Sequence, residues 1–354
     1  MSTVPGAEGA IHLDLEAFEG AYLTRSRMIL WLLILAAALL ISLIAAVSFG
    51  SAPLSLIRAI TDASSADHAI FIGVRLPRVL MGAVVGAVLA SAGVALQALV
   101  RNPLAEGGIL GISGGAAFGA IVALVFLSAS PLSDAIVPFI AFGSALIATV
   151  AVYRLAMVDG RLEPFTLLLI GVIFNAFWGA AIMLVNSIVD FYYAHSILFW
   201  LMGSFEAPSY REVAIIATLA AIGFAVLMMC ARDMNLLSLG DEAAAEMGVE
   251  VERLRRVIFF ATSIMIGAAV SVSGIISFVG LIVPHMLRLA LGADHRLLLP
   301  ASLLGGAAFM VIADLVARVA IAPTEIPVGA ITALCGGPFF IYMLRRAGRE
   351  SFSL

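Results

Sequence analysis

Few residues in this 354-residue chain have the type and spacing for covalent chemistry. His285 and His295 stand ten positions apart, with Arg288, Asp294 and Arg296 around them. That spacing matches no metal-ligand pattern, and no cysteine or paired carboxylate lies near. A structural or docking role is expected there, and no metal site. Cys230 and Cys335 lie in separate apolar runs and read as small buried thiols. Lysine is absent, so all 19 basic side chains are arginines. A Walker A loop needs a lysine to reach the nucleotide phosphates. ATP hydrolysis by that route is excluded, and an ATP-driven role would need a separate chain. No catalytic residue and no cofactor is expected.

The elements that must position the remaining polar groups are membrane spans. The chain is 63% hydrophobic and 12% charged, with a mean hydropathy of +1.14. Soluble domains hold roughly 45–50% apolar and about 25% charged residues. An all-α polytopic membrane protein is the expectation, and no nucleic-acid partner. A bilayer core takes about 20 apolar residues per helix. On that basis spans fall at 28–48, 77–100, 109–129, 135–156, 165–187, 212–231, 256–273, 277–291, 299–320 and 327–344. Ten is the reading, with nine as the alternative if the short segment at 277–291 does not cross.

Arginine placement tests that count. With the N-terminus inside, only Arg58, Arg75, Arg78, Arg211 and Arg318 fall on outer segments, and the other fourteen are inner or inner-flanking. This follows the positive-inside rule. Dropping the span at 277–291 would strand the C-terminal arginines outside. The expected organisation is a cytoplasmic tail at 1–27, one membrane domain over 28–346 surrounded by lipid, and a cytoplasmic tail at 347–354. The acidic start of the first tail does not resemble a cleaved secretory signal. Small residues recur in the spans, among them Gly82, Gly86, Gly93, Gly115, Gly305, Gly306 and Gly336, and small residues let helix backbones approach closely in lipid.

Two connections are long. One is the outer segment 48–73. The other, the inner segment 232–256, carries a short helical pattern: Asp241 and Glu242 at its start, Ala243 to Met247 within it, and Gly248 at its end. Acidic first turns and terminal glycines fit helix-end physics. A polar helical loop of this size reads as a docking surface for a soluble partner, using Leu239, Gly240, Asp241, Glu242, Ala243, Ala244, Met247 and Gly248. Asn175 and Asn186 are amides in an apolar span. Burying an unpaired amide costs roughly several kcal/mol, so each faces another helix or water. Asn175 admits two readings, glue between helices or lining of a path. Asp314 and Arg318, four apart, read as a helical pair. A proton-coupled carrier needs an ionisable group near the midplane, and Asp314 is the one candidate.

Six segments carry a resemblance that covers nearly the whole chain after the tail: RLPR (Arg75–Arg78), SAGVALQ (Ser91–Gln97), RNPLAEGGILGISGGA (Arg101–Ala116), MNLLSLGDEAAAEMG (Met234–Gly248), GIISFVGLIVPHMLRLALGADHR (Gly274–Arg296) and EIPVGAITALCGGPFF (Glu325–Phe340). In this order and spacing the chain resembles the FecCD-type permease family, membrane subunits of ABC importers for ferric siderophores, haem or cobalamin. Gly107-Gly108 departs from it, since many relatives place a proline there.

The resemblance implies a homodimer of two such chains in the cytoplasmic membrane, with both termini in the cytoplasm. It also implies two ATP-binding subunits inside and a substrate-binding protein in the periplasm. The Asn102-Pro103-Leu104 turn, which the residues alone allow as a plain tight turn, would then place Asn102 and Leu104 in a cytoplasmic gate. Pro164 and Phe165 would oppose them, although they are not the small polar pair usual at that point. Arg75, Arg78 and Arg318 would form the outer docking patch. The alternative is that Arg318 pairs with Asp314 while Arg75 and Arg78 reach headgroups. The implied activity is import of an iron chelate by alternating access through an apolar, weakly binding cavity, with haem or cobalamin as alternative cargo. An ion-coupled secondary transporter and a purely structural or signalling membrane protein are the rival classes.

Overall fold

Thr24 opens the described chain as a helix cap, its hydroxyl accepting from the Arg27 amide at 3.3 Å. The structure, a computed structural model, describes residues 24–127, 133–206 and 208–351. Most of the expected N-terminal tail, the last residues of the span at 109–129 and residues 352–354 of the expected C-terminal tail lie outside the described residues.

Each expected span coincides with a helix. They are α1 (Arg25–Ser48), α4 (Leu76–Val100), α5 (Ile112–Phe126), α6 (Ser133–Leu155), α7 (Pro164–Ile188), α9 (Tyr210–Met229), α12 (Val251–Ser273), α13 (Val279–Leu291), α14 (His295–Val319) and α15 (Val328–Ser351). Among the described residues seven helices are long and apolar enough to cross a membrane, and α5, α13 and the apolar part of α15 are shorter. The long connections are themselves structured. α2 (Leu56–Thr61) and α3 (Ala66–Ile70) start at Ser55 and Ser65, whose hydroxyls accept first-turn amides, and a π-turn at Phe71–Arg75 runs into α4. The expected inner loop contains α10 (Ala231–Leu237) and α11 (Asp241–Glu246). α8 (Phe191–Met202) has no counterpart among the expected spans, because twelve residues cannot cross a bilayer. A two-strand hairpin, β1 (Met157–Val158) with β2 (Arg161–Leu162), turns at Asp159-Gly160, both at positive φ.

α4 is the central helix, buried along nearly its whole length between α9, α12, α13 and α14. Two glycine contacts permit this. A Cβ on Gly86 would strike the Gly306 carbonyl of α14, and one on Gly93 would strike the Gly280 carbonyl of α13. Contact this close needs hydrogen in place of a side chain. The outer helices α1 and α7 leave most of their apolar surface uncovered, as helices facing lipid or another subunit do. Cys230 is half-buried but Cys335 is exposed on α15, which corrects the reading of both thiols as buried.

Candidate functional site

The loop segment 232–256 folds as its residues direct. Gly240 at φ +117° turns the chain into α11, and Asp241 and Glu242 lie in the first turn, where the helix dipole favours acids. Gly248 at φ +87° closes the helix: its amide reaches the Ala245 carbonyl and the Val249 amide reaches that of Ala244, both at 3.0 Å. This is a Schellman ending. Ala244 is fully buried against the protein, whereas Leu239 at 68% and Met247 at 50% exposure present large apolar side chains outward.

Asp241 is the junction of this end of the molecule. Both its carboxylate oxygens accept from the Arg255 guanidinium at 2.8 Å. Its Oδ1 also lies 3.5 Å from Arg101, the left-handed residue that ends α4. Arg255, buried on α12, also donates to the Leu162 carbonyl at 3.3 Å, and Glu252 accepts from the Leu162 amide at 2.9 Å. The next residue, Glu163, caps α7 by accepting from the amides of Phe165 and Thr166. Those bonds, Thr166 first, hold its carboxyl below the usual range. Four separate segments thus meet: the α4–α5 turn, the hairpin, the start of α7 and α11. They surround a cavity of about 830 Å³ lined by Arg101, Asn102, Pro164, Phe165, Asp241 and Arg255, among others. Phe165 is 72% exposed. Leu104 does not line this cavity. Asn102 instead folds its own turn, accepting from the Leu104 amide at 2.9 Å.

Beyond that turn, residues 105–111 run back into the bundle rather than across its end. Asn175 of α7 donates to the carbonyls of Gly108 and Ile109 at 2.7 and 3.2 Å, so it ties a helix to this segment. It also lines a second cavity of about 460 Å³ with Glu106, Ser113, Trp178 and Asn186. Glu106 accepts at 3.0 Å from the amide of Phe278, the strained cap of α13 at φ +70°. Its neighbours there include Gly280, which packs on Leu89 and Gly93 of α4, about two to three turns from that helix's end. Glu106 is therefore a carboxylate deep in the bundle, and the reading of Asp314 as the one internal candidate is corrected. The depth of a loop leaves no periodic trace in sequence. The signal available was an acid between a proline turn and a glycine run.

Asp314 lies at the opposite end of α4, in an arginine clamp. Arg75 donates to the carbonyls of Val47, Ser48 and Ala52 at 3.1, 3.3 and 2.7 Å. Arg318 donates to those of Ala46 and Phe49 at 3.0 and 3.2 Å and to Asp314 at 2.9 Å. The two guanidinium groups occupy the carbonyls that end α1, where cations are favoured. Arg78 joins Asp314 at 3.0 Å to Glu325 at 2.6 Å, and Ser51 donates to Glu325 at 2.7 Å. Burial raises the Glu325 pKa, but these two partners outweigh it and leave its carboxyl below the usual range. Arg75 and Arg318 are only 5% and 3% exposed. The three arginines therefore do not form a free docking patch here. The local alternative holds for Arg318 with Asp314, while Arg75 and Arg78 find protein partners instead of headgroups.

The comparisons with known proteins agree with this architecture. The chain is 45% identical over 274 residues to the cobalamin import system permease protein BtuC of Halobacterium salinarum, covering 77% of this chain and 72% of the relative. It is 41% identical to the hemin transport system permease protein HmuU of Yersinia pestis, covering 81% of this chain and 86% of the relative. Among solved structures it resembles a protein assigned as a metal-chelate type ABC transporter in an inward-facing conformation. The TM-score is 0.78 at 32% identity, covering 90% of this chain and 99% of that one. The model of the FecCD transport family matches residues 34–346, and the chain belongs to that family of ABC importer permeases.

Proposed function

We propose that this permease works as one of two identical subunits that carry a metal-bound tetrapyrrole, cobalamin or haem, into the cytoplasm by alternating access. ATP hydrolysis falls to a separate pair of cytoplasmic chains, and a periplasmic binding protein delivers the cargo. The observation that carries the mechanism is Asp241, which binds the first turn of the exposed helix α11 to both the α4–α5 turn and the start of α12. A push on α11 from a soluble partner would reach Asn102 and, through Arg255 and Leu162, the Pro164-Phe165 start of α7. Leu239, Glu242 and Met247 supply the outward face for that partner. The uncovered apolar face of α7, with Phe165, Val172, Phe177 and Leu184 exposed, supports pairing with a second copy along the path.

The names of the relatives favour cobalamin or haem over the ferric siderophore expected from the family's range. The test is uptake by proteoliposomes holding the assembled importer, each cargo offered with its own delivery protein. Saturable, ATP-dependent uptake of cobalamin or haem supports the reading. Uptake of a ferric hydroxamate or catecholate alone contradicts it, and uptake driven by a proton gradient without ATP would return the case to a secondary transporter.

A further inference from the structure

We propose that the slot between α6 and α9 is a binding site for one phospholipid with a phosphate–ammonium headgroup, phosphatidylethanolamine in class. α6 and α9 both pack on α12 but scarcely touch each other, which leaves a cavity of about 1050 Å³ between them. Its floor is made of small groups on α12, Ala268 and Ser271, and its walls are Phe139 and Phe142 of α6 and Ile215 and Leu219 of α9. Met81 and Phe205, both fully buried, close its deep side. In a bilayer such a slot does not stay empty, because its lining would lose dispersion contacts. Water would gain few partners on these walls. A flexible acyl chain fits an apolar slot that opens between two membrane helices.

The mouth names the headgroup. Glu206 and Arg211 stand exposed at the end of the bundle that carries the arginine clamp, and both line the same cavity. Among the described residues neither makes an ion pair or a side-chain hydrogen bond. Glu212 spends one oxygen on the Ser209 amide and hydroxyl at 2.7 and 2.8 Å, which leaves its other oxygen free. An unpaired guanidinium and carboxylates lining one apolar slot match a phosphate beside a primary ammonium. Arginine holds phosphate oxygens in a bidentate fork, and the carboxylates accept from the ammonium. A trimethylated headgroup cannot donate those bonds, and an anionic glycerol headgroup brings no cation to them.

Native mass spectrometry of the full chain released from nanodiscs tests the site, with phosphatidylethanolamine, phosphatidylcholine and phosphatidylglycerol as the probes. We expect retention of the ethanolamine lipid about tenfold above the other two. The preference should vanish in Arg211→Ala/Glu206→Gln, whose changes are both on the surface. Ile215→Trp, which fills the slot, should lose all three lipids. Ethanolamine lipid brominated in its acyl chain should also quench a fluorescence component of the parent that Trp200→Phe lacks, since Trp200 lines the slot. Equal retention of the three lipids, unchanged by the rim variant, would overturn the headgroup assignment. Retention indifferent to Ile215→Trp, or no quenching of Trp200, would overturn the slot itself.

Discussion

At the scale of single residues, the arginine clamp and the Asp241 junction use charge in different ways. Asp314 is 3% exposed and serves two guanidinium groups, Arg78 and Arg318. Removing a carboxylate from a buried cluster leaves its cations uncompensated, a loss of about 3–5 kcal/mol. Asp314→Ala should therefore lower the unfolding midpoint in detergent sharply. Breaking the exposed pair of Arg253 with Glu250, 3.7 Å apart, should cost under about 1 kcal/mol. Comparable losses from both variants would show that the clamp does not hold α1 to α4 and α14. The pairing of Asp314 with Arg318 was legible from a four-residue spacing. The bonds from Arg78 to Asp314 and Glu325 span 236 and 247 positions, and no local pattern encodes them.

At the scale of elements, helix ends carry the testable content. Asp294 caps α14, accepting from the Arg296 amide and side chain and from Asn235. Burial raises its pKa, but these bonds outweigh it and bring the carboxyl down to about 2. A carboxylate with a depressed folded pKa adds stability above its unfolded value and loses it as pH falls toward the folded one. Asp294→Ala should cost about 1 kcal/mol between pH 6 and 8. The gap from the parent should narrow as pH drops from about 4 toward 2, as followed by thermal unfolding. A gap that is constant with pH would mean the cap acts without its charge.

Gly248 offers a second element test. A Cβ there would touch nothing, so Gly248→Val charges only backbone strain against α11, about 1–2 kcal/mol. Membrane insertion should survive, and cross-linking of Leu239→Cys to the proposed ATPase subunit should fall. Undiminished cross-linking would exclude α11 as the seat. The spans and α11 were legible because apolar length and helix-end residues are local signals. α8 was not, since it is too short to read as a span, and the inward course of 105–111 was not, since depth has no period. The hairpin had a local sign in Asp159-Gly160, masked by the apolar runs on either side.

At the scale of the whole molecule, one buried helix joins the two ends of the bundle, and the proposed function has it act as a lever between them. α4 carries the clamp at Arg75 and Arg78 and ends at Arg101, which meets Asp241. Its glycine contacts to α13 and α14 leave little room for bending, so movement of α11 is expected to displace the Asn102 turn and the α7 start together. The direct measurement is cargo taken up per ATP hydrolysed by the reconstituted importer, for the parent and for Asp241→Asn. Hydrolysis is expected within about twofold of the parent, while uptake per ATP falls about tenfold or more. Hydrolysis and uptake that fall in parallel, or that both remain at the parent's level, would contradict the lever.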